Sequence, residues 1–156
     1  MKYYIFIVED KLSGCGQARR LGDNVINYEV EEAFYNQFAE NPDKYIWDGS
    51  QVVINPNYEA EQELKERERI ARLNLTGSDV ERGIYKAKGM DFNDILAYVT
   101  QLQPEGLDIK ALGIELKANN FYRGNPYVDA VGALLGFTSE QLDKFFETND
   151  YTDLLA

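Results

Sequence analysis

Residues 58–73, YEAEQELKERERIARL, constrain this chain more than any other stretch. They are strong helix formers. Glu61–Lys65, Glu63–Arg67 and Glu68–Arg72 follow the favourable i, i+4 order for ion pairs on a helix. The centre, from Lys65 to Arg69, has no apolar residue, so this part of the helix has nothing to bury. No sustained heptad runs through it, which argues against a coiled coil. The stretch therefore predicts a solvated connecting helix over 57–74. It separates a β-rich head, residues 1–56, from a helical bundle, residues 75–156. The predicted fold class is α+β: a small N-terminal α/β unit with a β-hairpin, the charged connecting helix, and a C-terminal bundle of short helices.

In the head, KYYIFIV is rich in aromatic and β-branched residues, as strands are. EDKLSG follows as a turn, and VINYEV, Val25 to Val30, alternates at period two as a half-buried strand does. Ala33, Phe34 and Phe38 recur at helical spacing, with Pro42 setting a limit beyond them. Asp48-Gly49 sits between YIW and QVVI, which predicts a tight hairpin, because Asp-Gly accepts the positive φ that such turns demand.

In the bundle the punctuation is dense. Ser78 and Glu81 have capping-box spacing for a helix that Gly89 closes. Asp91 caps the next helix, which turns Phe92, Ile95, Leu96, Val99 and Leu102 to one side before Pro104. A further helix is expected from Leu107 to Asn120, with Ile109, Leu112 and Leu116 inward. Asn125-Pro126 combines a cap with proline at the first helical position. That helix buries Val128, Val131 and Leu135 and stops at Gly136. Thr138 and Gln141 open the last helix, which carries Leu142, Phe145 and Phe146. About five short helices are thus expected over 75–148.

Charge and chemistry narrow the function classes. The formal net charge is −11, with five basic against nine acidic residues up to Pro56 and eleven against eighteen beyond it. Duplex nucleic acid is a poor partner for such a chain, since phosphate binding needs clustered Lys and Arg. There is no histidine, hence no Cys-His or Ser-His pair, and the commonest transition-metal ligand is missing. The single cysteine forms no internal disulfide and fits a reducing compartment. No apolar run approaches the ~20 residues that span a bilayer, and Tyr3 to Val8 is too short for a signal-peptide core. Neither membrane association nor any cofactor is expected.

Three motifs have the composition of a site. SGCGQARR, Ser13 to Arg20, sets Cys15 between glycines, with Arg19 and Arg20 near enough in sequence to favour a thiolate. Without a histidine to take the proton, it reads better as a turn between strands. Asp91 and Asp94 have the look of paired catalytic acids, but a cap and a first-turn position explain both. No catalytic, cofactor or metal residue is assigned. The cluster Phe121, Tyr122, Arg123 and Tyr127 combines the residue types enriched at binding hot spots and is the candidate interface. Arg123 and Asp129 are placed to bridge locally.

Three segments carry a family pattern: YIWDGSQVVINPNYEAE at 45–61, ERIARLNLTGSDVERGIY at 68–85 and YRGNPYVDAVGALLGFTSEQLDKFF at 122–146. Together they resemble small proteins encoded in the tail-gene region of phages and prophages of Gram-positive bacteria. SGCGQARR lies outside the resemblance. The resemblance implies no catalytic residues. It implies a non-enzymatic protein-interaction module, tail- or baseplate-associated, acting in assembly or as an accessory, with a protein partner. Such a protein resides in the host cytoplasm or in the virion. The alternative expectation is a phage-encoded inhibitor of a bacterial defence system, a Cas nuclease for example, in which acidity imitates nucleic acid or locks a domain. An enzyme using Cys15 ranks third.

Overall fold

The computed structural model describes residues 1–155, and the fold is α+β as predicted. The chain divides into two compact units, Met1–Leu64 and a second starting at Lys65, so the division falls inside the predicted connecting helix.

The first unit is built on a three-stranded antiparallel sheet. Its strands are β1 (Tyr3–Val8), β2 (Lys11–Gly16) and β3 (Val25–Val30), in the order β2-β1-β3. Glu9 and Asp10 join β1 to β2 with φ of +51° and +60°. Positive φ at both central residues matches the twist of the flanking strands. Here the sequence expectation needs correction, because SGCGQARR is not a turn. Its first half completes β2, with Cys15 opposite Ile5. The register jumps from Phe6↔Gly14 to Ile7↔Leu12, which leaves Ser13 as a bulge. Gly14, at φ +136°, supplies the backbone for that bulge. Gly16 leaves room for the Phe6 ring, which a Cβ there would meet at 2.9 Å. The glycines thus serve a strand.

One face of β1 enters a core made of Ile5, Phe38, Tyr45 and Val52. Phe38 comes from α1 (Glu32–Glu40), while Tyr45 and Val52 come from β4 (Tyr45–Trp47) and β5 (Val52–Ile54). The Tyr45 ring lies 5.2 Å from Phe34 and 5.7 Å from Phe38, at the spacing aromatic pairs prefer. Tyr4 points to the opposite face by strand alternation, yet it is only 4% exposed. Arg19 stacks over its ring at 5.7 Å. Asn27 fastens the segment that carries Arg19: its Oδ1 accepts from Arg20 N at 2.7 Å and its Nδ2 donates to Arg20 O at 3.0 Å. Arg20 Nη1 also donates to Ser13 Oγ at 2.9 Å.

The predicted β4–β5 hairpin is present, but its turn is shifted by one residue. Gly49 and Ser50 are central, and Gly49 has φ +99°. Asp48 N donates to Gln51 O at 3.1 Å. The Asp48 carboxylate accepts from the backbone N–H groups of Ser50 and Gln51, each at 2.8 Å. Those N–H groups, Gln51 first, hold its carboxyl below the ordinary value. The helix α2 (Tyr58–Ala71) has no buried residue, as the sequence implied. Asn41 Nδ2 donates to Tyr58 Oη at 2.6 Å, tying the start of α2 to the end of α1.

The second unit contains β6 (Asn74–Thr76), α3 (Gly77–Lys88), α4 (Phe92–Leu102), α5 (Ile109–Glu115), β7 (Asn120–Tyr122), α6 (Pro126–Leu134) and α7 (Ser139–Thr148), followed by a 3₁₀ turn over Tyr151–Leu154. Most of the predicted punctuation is found. Asp91 and Asp94 form a full capping box, as do Thr138 and Gln141, and Asn125 caps α6 with Pro126 behind it. Gly89 closes α3 in the left-handed region.

The cap of α3 differs from expectation. Thr76 is the cap and accepts from Asp79 N at 3.1 Å. Ser78 lies within the first turn, and Glu81 instead accepts from Phe92 N at 3.0 Å. The reason is β6, which keeps the backbone extended up to Thr76. The predicted Leu107–Asn120 helix is also shorter. It begins after its Asp108 cap and ends at Glu115, and Asn120 to Tyr122 form a strand instead. Leu112 is buried as expected, whereas Ile114 is 71% exposed.

The core of this unit gathers Val80, Ile95, Val99, Leu112, Phe145 and others. Gly83 allows α3 to press on the Phe145 ring, which a Cβ there would meet at 2.3 Å. Among the described residues no helix is long and apolar enough to cross a membrane.

Two predictions follow from this packing. Gly83→Ala gains about 1 kcal/mol of helix propensity but overpacks a ring that cannot move, at about 1–3 kcal/mol or more. The net effect is a lower melting temperature, read by circular dichroism. The second concerns acid. Asp48, Asp79 and Asp150 all have depressed carboxyl pKa values, through hydrogen bonds chiefly from Gln51 N, the Thr76 side chain and Thr152 N respectively. Their stabilisation is complete above the unfolded value of about 3.9 and is lost as pH falls through the lower folded values. Urea midpoints should hold from neutral pH to about pH 5 and decline below about pH 4.

Candidate interaction surface

Strands β6 and β7 pair antiparallel, with Asn74↔Tyr122, Leu75↔Phe121 and Thr76↔Asn120 in register. The ladder continues at both ends. Gly77 N donates to Asn119 O at 2.8 Å, Arg123 N to Leu73 O at 2.8 Å and Gly124 N to Ala71 O at 3.1 Å. Gly124 is required for that approach, since a Cβ there would lie 2.9 Å from Ala71 Cβ and 3.0 Å from its carbonyl oxygen.

Side chains alternate across this ribbon. Phe121 is buried and Leu75 is half-buried, and both pack into the helical core. Asn74, Thr76, Asn120 and Tyr122 are exposed on the other face. Tyr122 is 56% exposed and has Asn74 directly across the ladder. None of these four residues is charged, in a chain of net charge −11.

The structure separates the residues grouped by sequence. Phe121 is a core side chain, 5.5 Å from the Phe92 ring, and is not part of a surface. Tyr127 is half-buried against the same core. Arg123 is 4% exposed. Of the predicted cluster only Tyr122 stands out to solvent. Asn74, Thr76 and Asn120 were missed. Their signal was an apolar residue between two polar neighbours in NLT, and between Asn and Tyr in NFY, segments too short to stand out beside helical periodicity.

Arg123 is the buried anchor beneath Tyr122. Its Nη2 lies 2.9 Å from Asp129 Oδ1 and donates to Ser139 Oγ at 2.6 Å. Asp143 Oδ1 sits 2.6 Å from Nε, off the N–H direction, so that contact is ionic and not a directed hydrogen bond. Burial opposes the guanidinium charge. Asp129 and Asp143 outweigh it and hold the pKa above its ordinary value. The anticipated Arg123–Asp129 bridge is therefore present and forms part of a larger knot, which fastens β7 to α6 and α7.

The other two motifs have structural duties. Cys15 lies half-buried on β2, and its hydrogen bond with the Tyr35 hydroxyl pushes the Tyr35 phenol up. Asp91 and Asp94 complete the cap of α4. No protein-family model matches the chain, and no curated protein or solved structure matches it either.

The charge knot yields an asymmetric prediction. Arg123→Met leaves two carboxylates that are partly exposed and can rehydrate, so it should cost about 1–2 kcal/mol, less than the usual 3–5 for breaking a buried pair. Asp129→Asn with Asp143→Asn strands a buried cation and should cost about 3–5 kcal/mol. Urea denaturation of the two variants checks the order, and equal losses would contradict it.

Proposed function

We propose that this protein is a non-enzymatic interaction module of a phage or prophage, a tail- or baseplate-associated accessory or assembly protein. One observation supports the module reading above others. The β6–β7 ribbon presents Tyr122 among Asn74, Thr76 and Asn120, four outward side chains without charge of their own, next to a buried Arg123 anchor. Tyrosine offers large contact area at little entropic cost, and asparagine and threonine add adaptable hydrogen bonds. The phage context rests on the resemblance of residues 45–61, 68–85 and 122–146 to tail-region proteins.

The net charge of −11 supports a second reading, an inhibitor of a bacterial defence system that engages a basic groove. Salt separates the two. Binding through the uncharged ribbon should change little with ionic strength, whereas an acidic mimic should weaken steeply.

The test is to tag the protein in a lysogen, induce the phage and identify what co-purifies. Tail, baseplate or fibre components are expected. Tyr122→Ala should weaken their retention by about tenfold or more, the loss typical of a hot spot worth over 1.4 kcal/mol, without lowering stability. Recovery of a host nuclease with salt-sensitive binding would replace this reading with the second one.

A further inference from the structure

The helical unit contains a partly open cavity of about 50 Å³, lined from α3, α4, α5, β7, α6 and α7. Val80, Leu112, Phe121, Val131, Leu135 and Phe145 are among its walls. Glu115 is the one charged lining residue, and its carboxylate already accepts from Asn125 Nδ2 at 2.7 Å. An ordered water needs two to four polar partners, and these walls are almost entirely carbon. The lining therefore offers an ordered water little to bind. The cavity is also held open. The Phe145 ring is fixed against Gly83 and the Leu142 side chain against Gly132, so neither can relax inward without abandoning a tight contact.

We infer that this cavity is a binding site for a small, uncharged, apolar molecule. Charge sets the class. An anion would face Glu115, and a cation would lose its water without gaining a free partner. Size sets the limit, because drug-sized ligands need roughly 300 Å³ or more. Only a molecule of a few heavy atoms fits. The site is independent of the ribbon surface, since Tyr122 does not line it.

Xenon is a suitable probe, because dry apolar cavities of proteins take it up. The full chain, labelled at its methyl groups, would be titrated with xenon and followed by NMR. Saturable shifts confined to the methyls of Val80, Leu112, Val131 and Leu135 are expected. Val131→Ile places an extra methyl group in the cavity and should weaken the xenon response at least tenfold. Val80→Ile does the same from another wall and serves if the first variant does not fold. Shifts that stay linear with pressure, or that appear equally at Ile5 and Val52 of the first unit, would overturn the inference. So would an undiminished response in the isoleucine variants.

Discussion

The second unit depends on the pairing of β6 with β7. Leu75 and Phe121 are opposite one another although α3, α4 and α5 lie between them in the chain. Closing so long a loop costs entropy, and three residue pairs of ladder are a small return. The pairing persists because it is supported on both sides. Phe121 and Leu75 sink into the helical core on one face. Beyond Tyr122, Arg123 ties the strand to Asp129 at the start of α6 and to Ser139 and Asp143 on α7. One residue of alternation decides this arrangement. Phe121 and Arg123 point inward and Tyr122 outward, so the buried anchors on either side fix the backbone that carries the exposed ring.

The first unit solves a different problem by related means. A central strand in a three-stranded sheet has two faces to cover, and one short helix with one hairpin covers only the first. The segment after β2 covers part of the second. Arg19 stacks on Tyr4, and the paired Arg20–Asn27 hydrogen bonds hold that segment in place. A long charged side chain can bury its stem and the flat face of its guanidinium while its edge stays wet. Of the two arginines that raise the question of thiolate chemistry beside Cys15, Arg19 stacks on Tyr4 and Arg20 hydrogen-bonds to Ser13 Oγ.

What the sequence made legible was whatever local chemistry decides. The caps at Asp91, Asn125 and Thr138 need only a few neighbouring residues, and the structure places each as read. The misread features are those that depend on a distant partner. Ser78 has a sound capping-box spacing, but Thr76 takes the cap because β7 holds β6 extended. Asn120 to Tyr122 sit at the end of a leucine periodicity that reads as helix, and only the presence of Asn74 to Thr76 across from them makes them strand. SGCG reads as a turn, and only Phe6 and Ile5 on the neighbouring strand show why the glycines belong to a bulged strand. The candidate interface was half legible for the same reason. Tyr122 and Arg123 were singled out by type, but their opposite orientations and the three polar residues around Tyr122 come from a pairing that one sequence does not display.

The charge pattern bears on the proposed interface. A chain of net charge −11 repels its copies and most acidic neighbours, so a stable contact forms most readily where the charge is absent. The four outward side chains of the ribbon carry no charge themselves, and the nearest carboxylate, Asp79, accepts from Thr76 Oγ1 at 2.6 Å at one end. Asn74, Asn120 and Tyr122 can hydrogen-bond without a charge of their own to desolvate, which avoids the largest cost of polar interfaces. Arg123, on the inner side, is neutralised by Asp129 and Asp143. It contributes rigidity to the ribbon without adding a field to the surface. A strand held in place before contact loses little backbone entropy on contact, and preorganisation of this kind lowers the cost of binding.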